Sequence, residues 1–286
     1  MPIIHDFKTL ARTISLVENS PNASSFLANL QTFTIPTIGF TGPPGAGKSS
    51  LLNAIIEKLL GENKKIGLIL VDPSSPFNFG ALLGDRLRLA NHFNNPNLYI
   101  RSIASRGSLG GLSDKIVEII EVMKAYPFDY IFIETVGVGQ SEVEIAGIAD
   151  TTVVILVPEA GDSIQAMKAG LMEIAQIFVV NKTDRPEGET MYNTLSFQLH
   201  LNGKDHIPIV KTIATSGVGV DELILELKKN MVADNKRRLY FLTEKTYKLI
   251  REKRMKNFDK EKLKSDLTLA LSKENFNLFD FVSKYE

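Results

Sequence analysis

Thr37-Ile38-Gly39-Phe40-Thr41-Gly42-Pro43-Pro44-Gly45-Ala46-Gly47-Lys48-Ser49-Ser50-Leu51-Leu52 runs from an apolar strand through a glycine-rich turn into a helix. Gly42 to Ser49 fits the pattern G-x-x-x-x-G-K-[ST], between the apolar run Ile35 to Phe40 and the helix-spaced Leu51, Leu52, Ile55 and Ile56. Glycines let such a loop curl until successive N–H groups face one point, and the helix N-terminus adds a favourable dipole. The stretch predicts a phosphate cradle formed by Gly42, Pro43, Pro44, Gly45, Ala46, Gly47, Lys48, Ser49 and Ser50. Lys48 supplies a point charge to the β- and γ-phosphates, and the Ser49 hydroxyl is offered to Mg²⁺.

Outward from this loop, short apolar runs end in turn or acidic residues: Ile35 to Phe40, Ile66 to Val71, Leu98 to Ile100, Tyr130 to Ile133, Val153 to Val157, Ile177 to Val180 and Ile207 to Val210. Helix-length amphipathic stretches separate most of them. Strand alternating with helix predicts an α/β fold, with a mainly parallel sheet, helices on both faces and ligand loops at the carboxyl ends of the strands. Before this core, Phe7 to Leu30 reads as two short helices, with Ser20-Pro21-Asn22 between them. After Gly219 a helix is expected through Leu223, Leu225 and Leu227, and the lysine-rich remainder carries no further strand signal. The expected organisation is a helical arm over 1–33, a nucleotide-binding domain over 34–230 and a helical extension over 231–286. The extension holds 14 Lys or Arg and 9 Asp or Glu, 14 minus 9 giving a net charge of +5, which fits a solvated helix face. Its apolar residues, among them Leu239, Leu242, Phe276, Phe279 and Phe281, predict packing on the main domain or a subunit contact.

Composition narrows the function classes. The 286 residues are 44% hydrophobic, enough to bury a core without staples. The 33 basic and 33 acidic residues balance, so no overall positive field gathers nucleic acid. With no cysteine there is no disulfide, thiolate metal site or cysteine nucleophile, and His5, His92, His200 and His206 are scattered. The first thirty residues are interrupted by Asp6, Lys8, Arg12 and Glu18, so neither a signal peptide nor a membrane span is expected and the expected compartment is the cytosol.

Three further motifs refine the ligand. Phe128 to Ile133 ends in Glu134-Thr135-Val136-Gly137, an apolar strand that delivers a carboxylate and then a small turn beside the phosphate loop. That position suits an acid acting on Mg²⁺ and a glycine sensing the γ-phosphate, although an acid there also suits a helix cap. Many GTPases carry D-x-x-G-Q here; this chain has Val138 in the glutamine's place and Gln140 two residues later, which leaves Gln140 as the candidate to orient water. Asn181-Lys182-Thr183-Asp184 matches N-K-x-D after the run Ile177 to Val180. Asp184 can accept from the ring N–H and the exocyclic amine that guanine presents together, whereas adenine leaves the carboxylate unpaired. GTP is thus expected over ATP, with Asn181, Lys182 and Asp184 at the base and the Ile213, Ala214 and Thr215 backbone approaching it. Asp72, in Val71-Asp72-Pro73, and Asp85 are candidates for Mg²⁺ or its water in a nucleotide-sensing loop, against the plainer readings of an Asp-Pro turn and an exposed acid. Arg101 to Gly111 suits a loop facing a ligand and an ordinary connector equally well.

Taken together, GPPGAGKSS, VDPSSPFNFGALLGDR, RSIASRGSLGGLS, ETVGVGQSE and GDSIQAMKAG resemble the MeaB/ArgK group of P-loop GTPases from about Thr37 to Leu227. The resemblance implies a GTPase that binds an adenosylcobalamin-dependent acyl-CoA mutase, usually methylmalonyl-CoA mutase, gating cofactor loading and protecting the mutase. It also implies a homodimer joined through the C-terminal helical extension. On the matching positions it implies phosphate and Mg²⁺ held by Lys48 and Ser49, a metal and switch region at Asp72, Asp85 and Glu134, and guanine read by Asp184. A further partner-responsive switch would lie over Gly161 to Lys168, with Asp162, Gln165 and Lys168 in it. Two residues depart from the pattern: Gln176 stands where aspartate is expected, and Ile213 where serine is common.

Three rival readings remain. A metallochaperone GTPase would need cysteine or histidine ligands that this chain lacks, and a small-molecule kinase would need an acceptor pocket that no motif announces. A non-hydrolysing adaptor held in shape by GTP is compatible with the same residues.

Overall fold

A computed structural model describes residues 4–20, 26–72, 91–104, 115–135, 141–158, 170–230, 236–255, 258–271 and 276–285. Among the described residues, seven strands run β1 Thr37–Thr41, β2 Ile66–Asp72, β3 Leu98–Ala104, β4 Tyr130–Glu134, β5 Thr151–Leu156, β6 Ile177–Asn181 and β7 Ile209–Thr212. They form one sheet in the order β3-β2-β4-β1-β5-β6-β7, and every adjacent pair is parallel. Every residue of β1, β2, β4, β5 and β6 is buried, because helices cover both faces of the sheet and no strand residue there meets water.

The helices are α1 Phe7–Asn19, α2 Lys48–Gly61, α3 Ile116–Met123, α4 Ser141–Ile148, the short α5 Met172–Ile174, α6 Gly188–Leu201 and α7 Val220–Asn230, followed by α8 Lys236–Arg254, α9 Lys260–Leu271 and α10 Leu278–Val282. One face of the sheet packs on α2 and α7 through Leu51, Ile55, Leu223 and Leu227. The other packs on α1, α3 and α4 through Leu10, Ile14, Ile119 and Ile145, and farther along on α6 through Leu195 and Leu199. The chain divides into two compact units, Met1–Phe241 and Leu242–Glu286.

All seven expected strands are present, and β3 is longer than the run Leu98 to Ile100. Its apolar signal breaks at Arg101-Ser102, yet the ladder continues because α1 supplies a counter-charge to the guanidinium: Arg101 is paired with Glu18 and donates to Ser15 Oγ at 3.2 Å. The last strand begins at Ile209 rather than Ile207, since the Ile207 N–H is used by a turn to Lys204 O at 3.0 Å. α1 starts at Asp6, whose carboxylate accepts from Thr9 N and Thr9 Oγ1, both at 2.8 Å, and these bonds hold its pKa below the usual value. Of the second segment in the N-terminal arm, the described part is a helical turn at Phe26 closed by Asn29 N–H to Phe26 O at 3.1 Å.

The described elements of the second unit are all helices. Its packing is aromatic: Phe281, 7% exposed, lies 6.1 Å from Phe276 and 5.4 Å from Tyr285 between ring centroids, and Tyr285 also meets Phe258. Asn277 caps α10 by accepting from the Phe279 and Asp280 amides.

Candidate functional site

β1, β2, β4 and β6 all end at the same edge of the sheet, where a cavity of about 420 Å³ opens. It is lined by Pro44, Gly45, Gly47, Lys48, Ser49, Ser50, Leu70, Val71, Asp72, Glu134, Thr135 and Lys182. Residues from the phosphate loop, the β2 terminus, the β4 terminus and the N-K-x-D turn, spread from Pro44 to Lys182 in sequence, thus line one cavity.

The loop folds as its glycines require. Gly42 has φ +144°, and a Cβ there would stand 2.1 Å from Ile155 O; Gly47 caps α2 with φ +83°. Either position would strain a side-chain-bearing residue. Lys48 is 7% exposed, and its Nζ donates to Gly42 O at 2.9 Å and Pro43 O at 3.1 Å, so the cation rests on the carbonyls of the loop it belongs to. Ser49 is on the first turn of α2 and donates through Oγ to Glu134 Oε1 at 2.6 Å, a short charge-assisted bond. Asp72, 2% exposed, ends β2 on the same wall. Ser49, Asp72 and Glu134 are hard oxygen donors around one space, the kind of incomplete set that leaves room for phosphate oxygens and water on a small divalent cation.

At the other end of the site Asn181 is the hub. It is 1% exposed, donates through Nδ2 to Ala46 O at 2.9 Å, and accepts through Oδ1 from Thr212 Oγ1 at 3.0 Å and Ala214 N at 3.1 Å. One side chain therefore ties the phosphate loop to the loop after β7. Lys182 adopts the left-handed conformation, φ +59°, turning the chain so that Asp184 is exposed two residues later. The Ile213 amide donates to Val218 O at 3.0 Å, which closes the loop carrying Ala214 and Thr215 beside this turn.

A phosphate loop, a Ser–Glu pair and an N-K-x-D turn on one parallel sheet are the architecture of a guanine-nucleotide protein. A family model described as Methylmalonyl Co-A mutase-associated GTPase MeaB matches residues 10–266. The chain belongs to the MeaB family of GTPases. It is 45% identical over 234 residues to a Pyrococcus horikoshii protein assigned as a GTPase, covering 79% of this chain and 74% of that relative. It is 34% identical over 229 residues to the fused isobutyryl-CoA mutase of Geobacillus kaustophilus, covering 73% of this chain and 21% of that protein. The crystal structure of an LAO/AO transport system kinase shares the fold, with a TM-score of 0.66, 24% identity and coverage of 97% of this chain and 91% of that one.

Within this MeaB-family GTPase, the structure brings Lys48, Ser49, Ser50, Asp72, Glu134 and Lys182 to one cavity and ties Asn181 to Ala46 O and Ala214 N, while Asp184, Ile213, Ala214 and Thr215 are not among the residues that line it. Asp85, Gly137, Gln140, Asp162, Gln165 and Lys168 lie outside the described residues. Sequence reasoning missed a buried hydroxyl pair: Thr135 Oγ1 donates to Thr41 Oγ1 at 2.9 Å, and Thr135 N donates to Phe40 O at 3.1 Å. These bonds fasten the exit of β4 to the exit of β1 and so fix Glu134 opposite Ser49. Two threonines 94 positions apart give no local signal of that contact. No helix among the described residues is long and apolar enough to cross a membrane.

Proposed function

We propose that this GTPase hydrolyses GTP to GDP and phosphate with Mg²⁺ in the cytosol and serves as a G-protein chaperone for an adenosylcobalamin-dependent acyl-CoA mutase, with methylmalonyl-CoA mutase as the partner. The observation that carries the mutase assignment is the fused isobutyryl-CoA mutase, in which a segment 34% identical to this chain belongs to the same polypeptide as a mutase. In this reading the chaperone assists cofactor loading and protects the mutase, and a homodimer forms through residues 231–286.

The geometry suits phosphoryl transfer by positioning and electrostatics rather than by covalent chemistry. Ser49, Asp72 and Glu134 would hold Mg²⁺, with Asp85 completing the set. When bound, the ion neutralises charge on the β- and γ-phosphates. The loop from Gly42 to Ser50 presents its amides to the phosphates, and Lys48 exchanges its bonds to Gly42 O and Pro43 O for phosphate oxygens. Asp184 accepts from the guanine edge while Asn181, Lys182 and the segment Ile213 to Thr215 shape the base pocket. Gln140 orients the attacking water, and Gly137, Asp162, Gln165 and Lys168 respond to phosphate and partner. Because Gln140 is displaced from the usual glutamine position, intrinsic turnover is slow and the mutase completes the site.

Single-turnover phosphate release, measured with and without a stoichiometric adenosylcobalamin-dependent mutase, tests this reading. A faster burst in the complex and co-elution of the two proteins are expected. Release that is absent under both conditions would turn the protein into a GTP-held adaptor and remove the hydrolytic role.

A further inference from the structure

The guanine-reading turn has a support that its motif does not announce. Gly188, the buried first residue of α6, lies against Thr183. A Cβ built on Gly188 would stand 2.8 Å from both Cα and O of Thr183 and 3.1 Å from its carbonyl carbon. The nearest of these is about 0.6 Å short of ordinary van der Waals contact, and main-chain atoms cannot swing aside as the tip of a long side chain can. Gly188 has none of the positive φ seen at Gly42 or Gly47, so what this position demands is room and not a special dihedral.

The opposite side of the turn is also held. Thr183 donates to Thr212 O twice, through N and through Oγ1, each at 3.2 Å. Inside the turn, Arg185 N donates to Lys182 O at 3.1 Å and Gly188 N to Arg185 O at 2.9 Å. Thr183 is therefore gripped between the start of α6 and the exit of β7. Asp184 follows it and is exposed, so the backbone that carries it sets where its side chain starts and which way its Cα–Cβ bond points.

We infer that Gly188 is a positioning residue for base specificity: by admitting α6 against Thr183 it fixes the backbone of the 182–185 turn and thereby aims Asp184. This rests on the proposal that Asp184 reads guanine. An added methyl must push either the turn or the helix, and displacement of the turn weakens the bonds that distinguish guanine from a base lacking its 2-amino group. A merely structural role for Gly188 would lower stability in Gly188→Ala and leave base preference untouched.

The experiment compares dissociation constants for GDP and IDP, which differ only in that amino group, for wild type, Gly188→Ala and Thr183→Val. Wild type is expected to prefer GDP at least tenfold; misplacement of a binding group by part of an ångström reduces the preference about tenfold in Gly188→Ala. The loss appears in the affinity ratio, while kcat at saturating GTP changes by less than about twofold, because the phosphate end is not moved. Thr183→Val, which removes one bond to Thr212 O without adding bulk near α6, is expected to reduce the preference a few-fold and decides the matter alone if Gly188→Ala does not fold. A wild-type preference that survives unchanged in the variants overturns the role of Gly188 only. A wild type that binds GDP and IDP equally refutes the reading of Asp184 and takes this inference with it.

Discussion

Replacing Asn181 with alanine should damage stability and nucleotide affinity together, because one buried amide holds both halves of the site. The substitution removes three hydrogen bonds, to Ala46 O, from Thr212 Oγ1 and from Ala214 N. Ala46 and Thr212 are each 0% exposed, so two of the three orphaned groups have no direct access to solvent. An unsatisfied buried polar group costs about 1 to 3 kcal/mol, and a water entering the vacated space recovers part of it, which brings the loss to about 3 kcal/mol. For a unit of this size that corresponds to a melting temperature lower by about 6 to 12 °C. Asn181 Nδ2 also packs against Gly47, 2.4 Å from where a Cβ would sit, so its loss frees the N-terminus of α2 and the phosphate loop with it. GDP affinity should fall at least about a hundredfold. Urea unfolding followed by circular dichroism, with calorimetric titration of GDP, measures both effects. Asn181→Asp supplies the control, since it keeps the acceptor toward Thr212 and Ala214 but sets a carboxylate against Ala46 O, and should be at least as damaging. Destabilisation below about 1 kcal/mol with undiminished GDP binding would mean that Asn181 does not hold the two loops together.

Ser49→Ala removes the donor of the 2.6 Å bond at the proposed metal site and Glu134→Gln removes the charge on its acceptor; for each, hydrolysis should drop about a hundredfold or more and half-saturation should need more Mg²⁺, with GDP binding less affected, as phosphate release against Mg²⁺ concentration would report. Gly42→Ala, which puts a methyl 2.1 Å from Ile155 O at a φ of +144°, should abolish nucleotide binding in a fluorescent-GDP assay. Gln176→Ala should act on stability alone, by about 1 to 2 kcal/mol in thermal melts, with GTP turnover unchanged, since its side chain accepts from Thr152 N at 2.7 Å and donates to Asp150 O at 3.0 Å at the sheet edge opposite the cavity.

The strands were legible because a parallel sheet covered on both faces turns each of them into an apolar run, and the ligand loops because close backbone curvature demands glycine at fixed spacing. Where side chains from distant segments decide, the sequence was silent. Arg101 looked like the end of a strand until Glu18 of α1 neutralised it. Gln176 stood out as a departure from aspartate; in the fold its amide donates to Asp150 O, a bond that a carboxylate could not make, so the substitution is a stable alternative at that position. Thr135 and Thr41, and likewise Gly188 and Thr183, meet only through the tertiary fold. Asn181 was legible as part of a nucleotide motif, but not as the tie between Ala46 and Ala214.

The most direct test of the account is steady-state hydrolysis of GTP and ATP by the purified protein and by Lys48→Ala, each with and without an adenosylcobalamin-dependent acyl-CoA mutase. GTP-selective turnover that requires Lys48 and rises when the mutase is added is expected. Turnover indifferent to the mutase would contradict the chaperone assignment, and equal use of ATP would contradict the role given to Asp184.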